Sequence, residues 1–282
     1  MTTIAAQDLA LFGAELDLDA RRPLDADDQA ELRARFDRHD LLLVRGQRLS
    51  MEEQLRFCGY LGPVLMSDSG EMSKETPIGL AGVPLCFHAD YGYSPEPLQA
   101  ISLHATDVVD GETSTRFASG RRAWQVLDEP TQGRLEGLDA LQVFGARLDG
   151  RNRRADLDPR LPDTAHPIVQ PTPDGERYLY APEMTTDGIV GLDPDESEAL
   201  LAEVFAALYG PDAVYEHRWA MGDLVVWHNT RVVHARGDVS AVGRRVHQRV
   251  TLGTKGYFDL YPELADYAWD EDGNIIEAPA PF

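Results

Sequence analysis

The stretch "GDLVVWHNTRVVHARGDVSAVGRRVHQRVTLGTK", residues 222–255, decides the fold. "LVVW", "RVVHAR" and "RRVHQRVTL" are short valine-rich runs, and glycine, asparagine, aspartate and serine fill the spaces between them. That is the pattern of β-strands joined by turns. Alternate side chains of a strand share a face, so Arg245, His247 and Arg249 project one way and Val246, Gln248 and Val250 the other. Two arginines on one face of a barrel strand cannot be buried without anions to pair with. If that face looks inward, its guanidinium forks can hold two carboxylates or similar groups; if it looks outward, they are solvated charges.

Strand signals continue upstream from residue 85, in "LCFHADY", "LQAISLHATDVV" and "TRFASG". "HPIVQPTPDGERYLYAP" reads as a hairpin about its Pro-Asp-Gly. Helical spacing marks "LDADDQAELRARFDRHD", with Leu32 and Phe36 on one face, and "LSMEEQLRFCGYLG". In the second, Ser50 and Glu53 form a capping box and Gly62 is the expected stop. "GRRAWQVLDEP" reads as one helix, and "DPDESEALLAEVFAALYG" as another from Asp193 to Gly210. The polar stretch 145–165 reads as a long surface loop. The expected fold is mainly β with flanking helices: a jelly roll in a single domain, 1–282, with helical N-terminal elements and an inserted helix around 193–210 packed on it.

A formal net charge of -22, from 26 basic and 48 acidic side chains, argues against nucleic acid as a partner. The acidic excess reads as a solvated surface. The two cysteines, Cys58 and Cys86, suggest neither a disulfide framework nor a zinc knuckle. No basic n-region leads into an apolar run, and no window has the length of a membrane span. A cytoplasmic enzyme with a small-molecule partner is expected, and a homo-oligomer stays open.

"CFHADYGYSPEP", residues 86–97, places His88 and Asp90 two positions apart, on one strand face. An imidazole nitrogen and a carboxylate oxygen could then reach one metal ion. A third ligand is needed, and His234 in "VVHARG" is the best candidate. Two histidines and one carboxylate on one side of an ion leave the opposite positions open, as in non-haem Fe(II) oxygenases. The same set could hold Zn²⁺ in a zinc-dependent hydrolase, which would not explain an inward Arg245.

With these residues in place the chain resembles the taurine dioxygenase-like (TauD/TfdA) group of Fe(II)/2-oxoglutarate-dependent oxygenases. Five blocks carry the likeness in order: "HDLLLVRGQRLSMEEQLRFCGYLGPV", "FHADYGY", "DGETSTRFASGRRAW", "APEMTTDGIVGLDPDESEALLAEVF" and "GDLVVWHNTRVVHARGD…GRRVHQRVT". The resemblance implies that His88, Asp90 and His234 ligate Fe(II). It further implies that Arg245 grips the distal carboxylate of 2-oxoglutarate. Thr115 would help, with Thr113 as the competing register. Arg249 matches the position that meets the substrate's anionic group in sulfonate-using relatives. The implied reaction spends O₂ and 2-oxoglutarate, releases succinate and CO₂, and oxidises a substrate C–H bond, normally by hydroxylation. Desaturation or isonitrile formation is the alternative outcome.

Three departures stand out. The family's W-D-N is "WHN" here, so His228 replaces an acid, which predicts a structural change and no new ligand. "YLGPVLMSDSG" lacks the histidine that helps bind sulfonate in taurine-type members. Asp90 is retained where the family's halogenases carry a small residue.

Overall fold

The uninterrupted apolar runs at 41–44 and 224–227 have a simple cause: both are strands buried on two sides. In the computed structural model, which describes residues 4–73, 76, 82–264, 268–269 and 275–276, Leu41 and Leu43 point into the space between two sheets. Leu42 and Val44 point the other way, onto helices. Val225 and Trp227 alternate with Leu224 and Val226 in the same manner.

The larger sheet has seven strands. In spatial order they are β1 (Ala5–Asp8), β2 (Ala14–Asp17), β3 (Leu41–Val44), β14 (Leu224–His228), β6 (Ala100–Val108), β16 (Arg245–Leu252) and β4 (Gly70–Met72). Facing it is a four-stranded sheet ordered β13 (Val214–Arg218), β7 (Ser114–Ser119), β15 (Val232–Arg236) and β5 (Leu85–His88). Phe117 and Val232 from the smaller sheet meet Ile101, Leu103 and Trp227 from the larger one. These two sheets form the double-stranded β-helix, or jelly roll, and the space between them holds the site.

Helices α1 (Ala26–His39) and α2 (Met51–Gly59) cover the outer face of the larger sheet through Leu32, Phe36 and Phe57. The Ser50–Glu53 capping box is present, and the chain leaves the helix at Tyr60, ahead of Gly62. The "GRRAWQVLDEP" segment corrects the single-helix expectation. It forms α3 (Gly120–Val126) and then opens α4 (Glu129–Leu135), because Asp128 caps the Thr131 N–H and Pro130 favours a fresh helix start. Helix α5 (Pro194–Tyr209) runs between its Asp193 and Gly210 caps, and packs Leu200, Leu201 and Val204 on Leu135 and Leu179. The hairpin of β10 (Val169–Pro171) and β11 (Arg177–Leu179) lies where expected.

The 145–165 loop is less free than its composition suggests. Its end is already β9 (Asp163–Pro167), in a third sheet with β8 (Asp139–Val143) and β12 (Thr186–Ile189). Arg151 and Arg153 both reach Glu198 on α5. Asn152 donates to the carbonyls of Arg147 and Met184. Among the described residues no helix is long and apolar enough to cross a membrane.

Candidate metal centre and its cavity

Strand β5 delivers His88 to the space between the sheets, where it pairs with His234 of β15. The register slips between that pair and the next, Arg236 with Leu85, and this irregularity lets both Leu85 and His88, three positions apart, line the same space. Asp90 lies just past the strand. Its backbone N–H donates to Asn229 Oδ1 at 2.9 Å, and Asn229 Nδ2 donates to the carbonyls of Asp90 and Leu98, each at 2.9 Å. Tyr91 follows with φ +56°, an unusual left-handed backbone for a bulky side chain. Gly92 sits in a tight place, since a Cβ there would lie 3.0 Å from the Tyr180 hydroxyl and 3.1 Å from the Ala89 carbonyl and would push its neighbours back by a few tenths of an ångström.

This scaffold brings one donor atom each from His88, Asp90 and His234 within 4.8 Å of one another. Asp90 Oδ1 is 3.3 Å from His88 Nε2 and 3.8 Å from His234 Nε2. His88 Nδ1 lies 2.8 Å from the Cys86 carbonyl, which can only accept, so Nδ1 carries the proton and Nε2 offers its lone pair. Burial holds His234 well below the usual histidine range, with the neighbouring His88 adding to the effect. Burial alone would raise Asp90. The Arg249 charge leads the effects that more than offset it and hold the carboxyl well below its usual range. A neutral imidazole at His234 and an ionised carboxylate at Asp90 are the protonation states that a divalent cation requires.

The three donors line a cavity of about 430 Å³ that also contains Thr115, Arg236, Arg245 and Arg249. Arg245 is only 4% exposed. Its Nε and Nη1 have no hydrogen-bond partner among the described residues. Burial lowers its pKa to about 10, and the charge of Arg236 contributes. An orphaned guanidinium of this kind is a fit for a carboxylate that the protein itself does not supply. Thr115 lines the cavity, and its Oγ1 accepts from Trp219 Nε1 at 3.0 Å. Thr113 is buried outside the cavity lining. Arg249 donates from Nε to Thr251 Oγ1 at 3.2 Å and pairs through Nη2 with Asp90 Oδ2. All the site residues expected from the sequence therefore meet in one chamber.

His228 stays outside it. Its ring stacks on Phe36 with centroids 4.6 Å apart, and Nε2 is 3.7 Å from Asp37 Oδ1. It is a structural replacement, as the sequence suggested. Two residues with a direct bearing on the site escape the sequence reading: Asn229, whose signal is its place in the WHN motif, and Arg236, which follows His234 by one strand repeat.

A jelly roll whose inner wall presents two histidines and a carboxylate beside buried guanidiniums defines a non-haem oxygenase of the Fe(II) type. The particular family follows from the sequence: the chain belongs to the "Taurine catabolism dioxygenase TauD, TfdA family", which it matches over residues 5–251. It is 28% identical over 265 residues to (S)-phenoxypropionate/alpha-ketoglutarate-dioxygenase of Sphingobium herbicidovorans, covering 86% of this chain and 92% of that protein. It is 27% identical over 286 residues to alpha-ketoglutarate-dependent 2,4-dichlorophenoxyacetate dioxygenase of Cupriavidus pinatubonensis, covering 89% and 98%. In fold it is similar to a taurine dioxygenase from Burkholderia xenovorans, at a TM-score of 0.75 and 24% identity, covering 99% of this chain and 97% of that one. AAD-2 in complex with Mn(II) and N-oxalylglycine superposes equally well, at a TM-score of 0.75 and 23% identity, covering 90% of this chain and 99% of that one. The chain is thus a 2-oxoglutarate-dependent dioxygenase that works with Fe(II), 2-oxoglutarate and O₂.

Proposed function

We propose that this dioxygenase hydroxylates an unactivated C–H bond of a small organic anion with an apolar, aromatic-tolerant body. His88, Asp90 and His234 hold the iron. Arg245 and Thr115 hold the far carboxylate of 2-oxoglutarate, and Arg249 meets the acidic group of the substrate. The observation that carries this reading is the convergence of three metal-donor atoms and the buried, unpartnered Arg245 on one cavity.

Fe(II), 2-oxoglutarate and O₂, once bound, supply the oxidation: 2-oxoglutarate becomes succinate and CO₂ as the substrate C–H bond is oxidised. The chain's own residues bind, orient and exclude water. His88 and His234 give nitrogen donors, and the Cys86 carbonyl fixes the orientation of the first by accepting at Nδ1. Arg245 offers a fork that sets the orientation of a dicarboxylate along the cavity.

Charge and lining narrow the substrate. Among the described lining residues Arg245 and Arg249 bring guanidiniums to the cavity, which suits the carboxylates of 2-oxoglutarate and an anionic substrate. Phe144, Tyr93, Met184, Leu148 and Leu103 supply an apolar wall. Relatives named for phenoxypropionate and 2,4-dichlorophenoxyacetate support an aryloxyalkanoate or a similar carboxylate. Taurine is disfavoured because Asp68 lies on the cavity wall in the segment that lacks the sulfonate-binding histidine. A zinc hydrolase would leave the Arg245 guanidinium buried with no anion to meet. The reading is of a single-domain cytoplasmic enzyme.

The test is aerobic turnover of 2-oxoglutarate with Fe(II) across aryloxyalkanoates, amino acids and sulfonates, comparing the native enzyme with His88→Ala. Succinate formation is expected to rise with a monocarboxylate carrying an apolar body and to vanish in the variant. Undiminished substrate-dependent succinate from His88→Ala would remove the assigned metal site.

A further inference from the structure

We propose that Trp219 is a positioning residue of the co-substrate site: its indole N–H fills one side of the Thr115 hydroxyl, which must then donate toward the distal carboxylate of 2-oxoglutarate. The inference rests on the co-substrate role given to Thr115 above. Strand β13 pairs with β7, His217 opposite Thr115, and the pairing runs on to a bond from the Trp219 N–H to the Thr113 carbonyl at 2.9 Å. Phe117 and Tyr215 pack into the space between the sheets, and Thr115, His217 and Trp219 share their inward parity.

Trp219 is fully buried and is not part of the cavity lining, so it acts on a ligand only through Thr115. Its ring is held firmly. His217 and His247 meet it edge to face, with centroids 4.6 Å and 4.5 Å away, and His217 Nε2 is itself 3.1 Å from Asp223 Oδ2. The Trp219 carbonyl accepts the Gly111 N–H at 2.8 Å. An indole nitrogen can only donate, so the 3.0 Å contact from Nε1 makes Thr115 Oγ1 the acceptor. The threonine proton cannot point back at the indole, and among the described residues the hydroxyl donates to no other group. Thr115 is buried and lines the same chamber as Arg245. A buried O–H without an acceptor fits a ligand that brings one, and a carboxylate does so beside the Arg245 guanidinium. With the indole N–H in place the hydroxyl is set as a donor before the ligand arrives, and without it the hydroxyl is free to turn away.

The experiment uses the anaerobic Mn(II)-loaded enzyme, which binds without turning over. Calorimetric titration compares 2-oxoglutarate with 2-oxovalerate, which has the same 2-oxo acid head and chain but a methyl where the distal carboxylate stands. Thr115→Val should cut the preference for 2-oxoglutarate by about tenfold, the scale of one hydrogen bond to a charged group. Trp219→Phe keeps a buried ring and loses the N–H; it should cut the preference by about fivefold and leave the affinities for 2-oxovalerate and Mn(II) unchanged. In the Thr115→Val background the same change should cost no more than about twofold, because nothing remains for the indole to orient. An undiminished preference in Trp219→Phe, equal weakening of both acids, or additive losses in the double variant overturns the proposal. A second measurement needs no substitution at Trp219. In the Zn(II)-loaded native enzyme, the indole N–H resonance that Thr115→Val displaces should move downfield with 2-oxoglutarate and not with 2-oxovalerate, since a hydroxyl that donates is a better acceptor. Equal shifts with the two acids overturn the proposal. An undiminished preference in Thr115→Val would instead defeat the reading of Thr115, and the inference with it.

Discussion

Arg249 holds the oxygen of Asp90 that is turned away from the two histidines. Oδ1 lies 3.3 Å from His88 Nε2 and 3.8 Å from His234 Nε2, while Oδ2 pairs with Arg249 Nη2. The carboxylate is therefore oriented before any cation arrives, with one oxygen directed at the donor cluster. A guanidinium lost from this position should loosen both the metal and the substrate. Arg249→Gln is expected to weaken Mn(II) binding by about tenfold, the lower end of what losing a partner of a metal ligand costs. Binding of the anionic substrate should fall further. Metal titration by calorimetry reads the first effect, and an unchanged metal affinity would separate Arg249 from the triad.

Asn229 exerts a similar control through the backbone. Its amide spends both ends on the loop that carries Asp90, in three hydrogen bonds of 2.9 Å. Asn229→Ala is expected to lower stability by about 2 kcal/mol, since it leaves buried polar groups of the loop unpaired. Mn(II) affinity should fall by about 10–100-fold, because Asp90 loses its fixed position. Asn229→Asp should be no better, as it sets a carboxylate against the carbonyls of Asp90 and Leu98. A variant with native metal affinity and only reduced stability would confine Asn229 to the fold.

What is legible in the sequence is what is local. The Ser50–Glu53 box and the Asp193 cap lie within a few residues of the helices they start, so α2 and α5 can be read directly. The metal-donor residues are legible because two stand two positions apart and the third follows a familiar motif, although Asp90 lies past the end of β5 and not on its face as the spacing suggested. The strand "VYEHR" at 214–218 is different, since nothing nearby marks it and its partner β7 is remote in sequence. The direction of Arg245 and Arg249 also depends on distant contacts. Val250 and Leu252 pack with Phe57 of α2, which turns the arginine parity inward, and a register shift after Val246 adjusts the start of β16. Arg236 sits in "HARGD" like any arginine before a turn, and its burial exists only once β15 pairs with β5 and β7.

Asp223 gives a pH test well away from the metal. It is almost fully buried, with Oδ2 3.1 Å from His217 Nε2 and 3.1 Å from Arg45 Nη1, and accepts the Ala220 N–H at 3.0 Å. Burial alone would raise its pKa, but the close His217 ring, the Ala220 N–H hydrogen bond and the Arg45 charge hold it below the usual range. A folded pKa below the unfolded one stabilises the protein above the unfolded value of about 3.9, and that contribution is lost as pH falls through the folded value. Asp223→Asn should cost about 3 kcal/mol at pH 7, as for a broken buried pair. The gap between native and variant urea midpoints should shrink as pH falls below about 4. A gap that stays constant from pH 7 to pH 3 would mean that the carboxylate charge does not matter there.

Glu198 ties the polar segment beside the cavity to α5. Its two oxygens take Arg151 Nη1 at 2.8 Å and Arg153 Nη1 at 2.9 Å, and its pKa falls to about 2, led by the Arg153 hydrogen bond. Gly145 and Leu148, from the start of the same segment, line the cavity, so its position shapes the substrate end of the chamber. The pairs are partly exposed, and Glu198→Gln should change global stability by less than about 1 kcal/mol. Local opening should respond far more. Amide exchange across residues 146–156 is expected to quicken, and the substrate KM to rise a few-fold, with the affinity for 2-oxoglutarate unchanged. Native exchange rates in that segment would assign its order to its other contacts, among them the Asn152 bonds and those of Arg151, Arg153 and Arg154 to Asp187 and its neighbours.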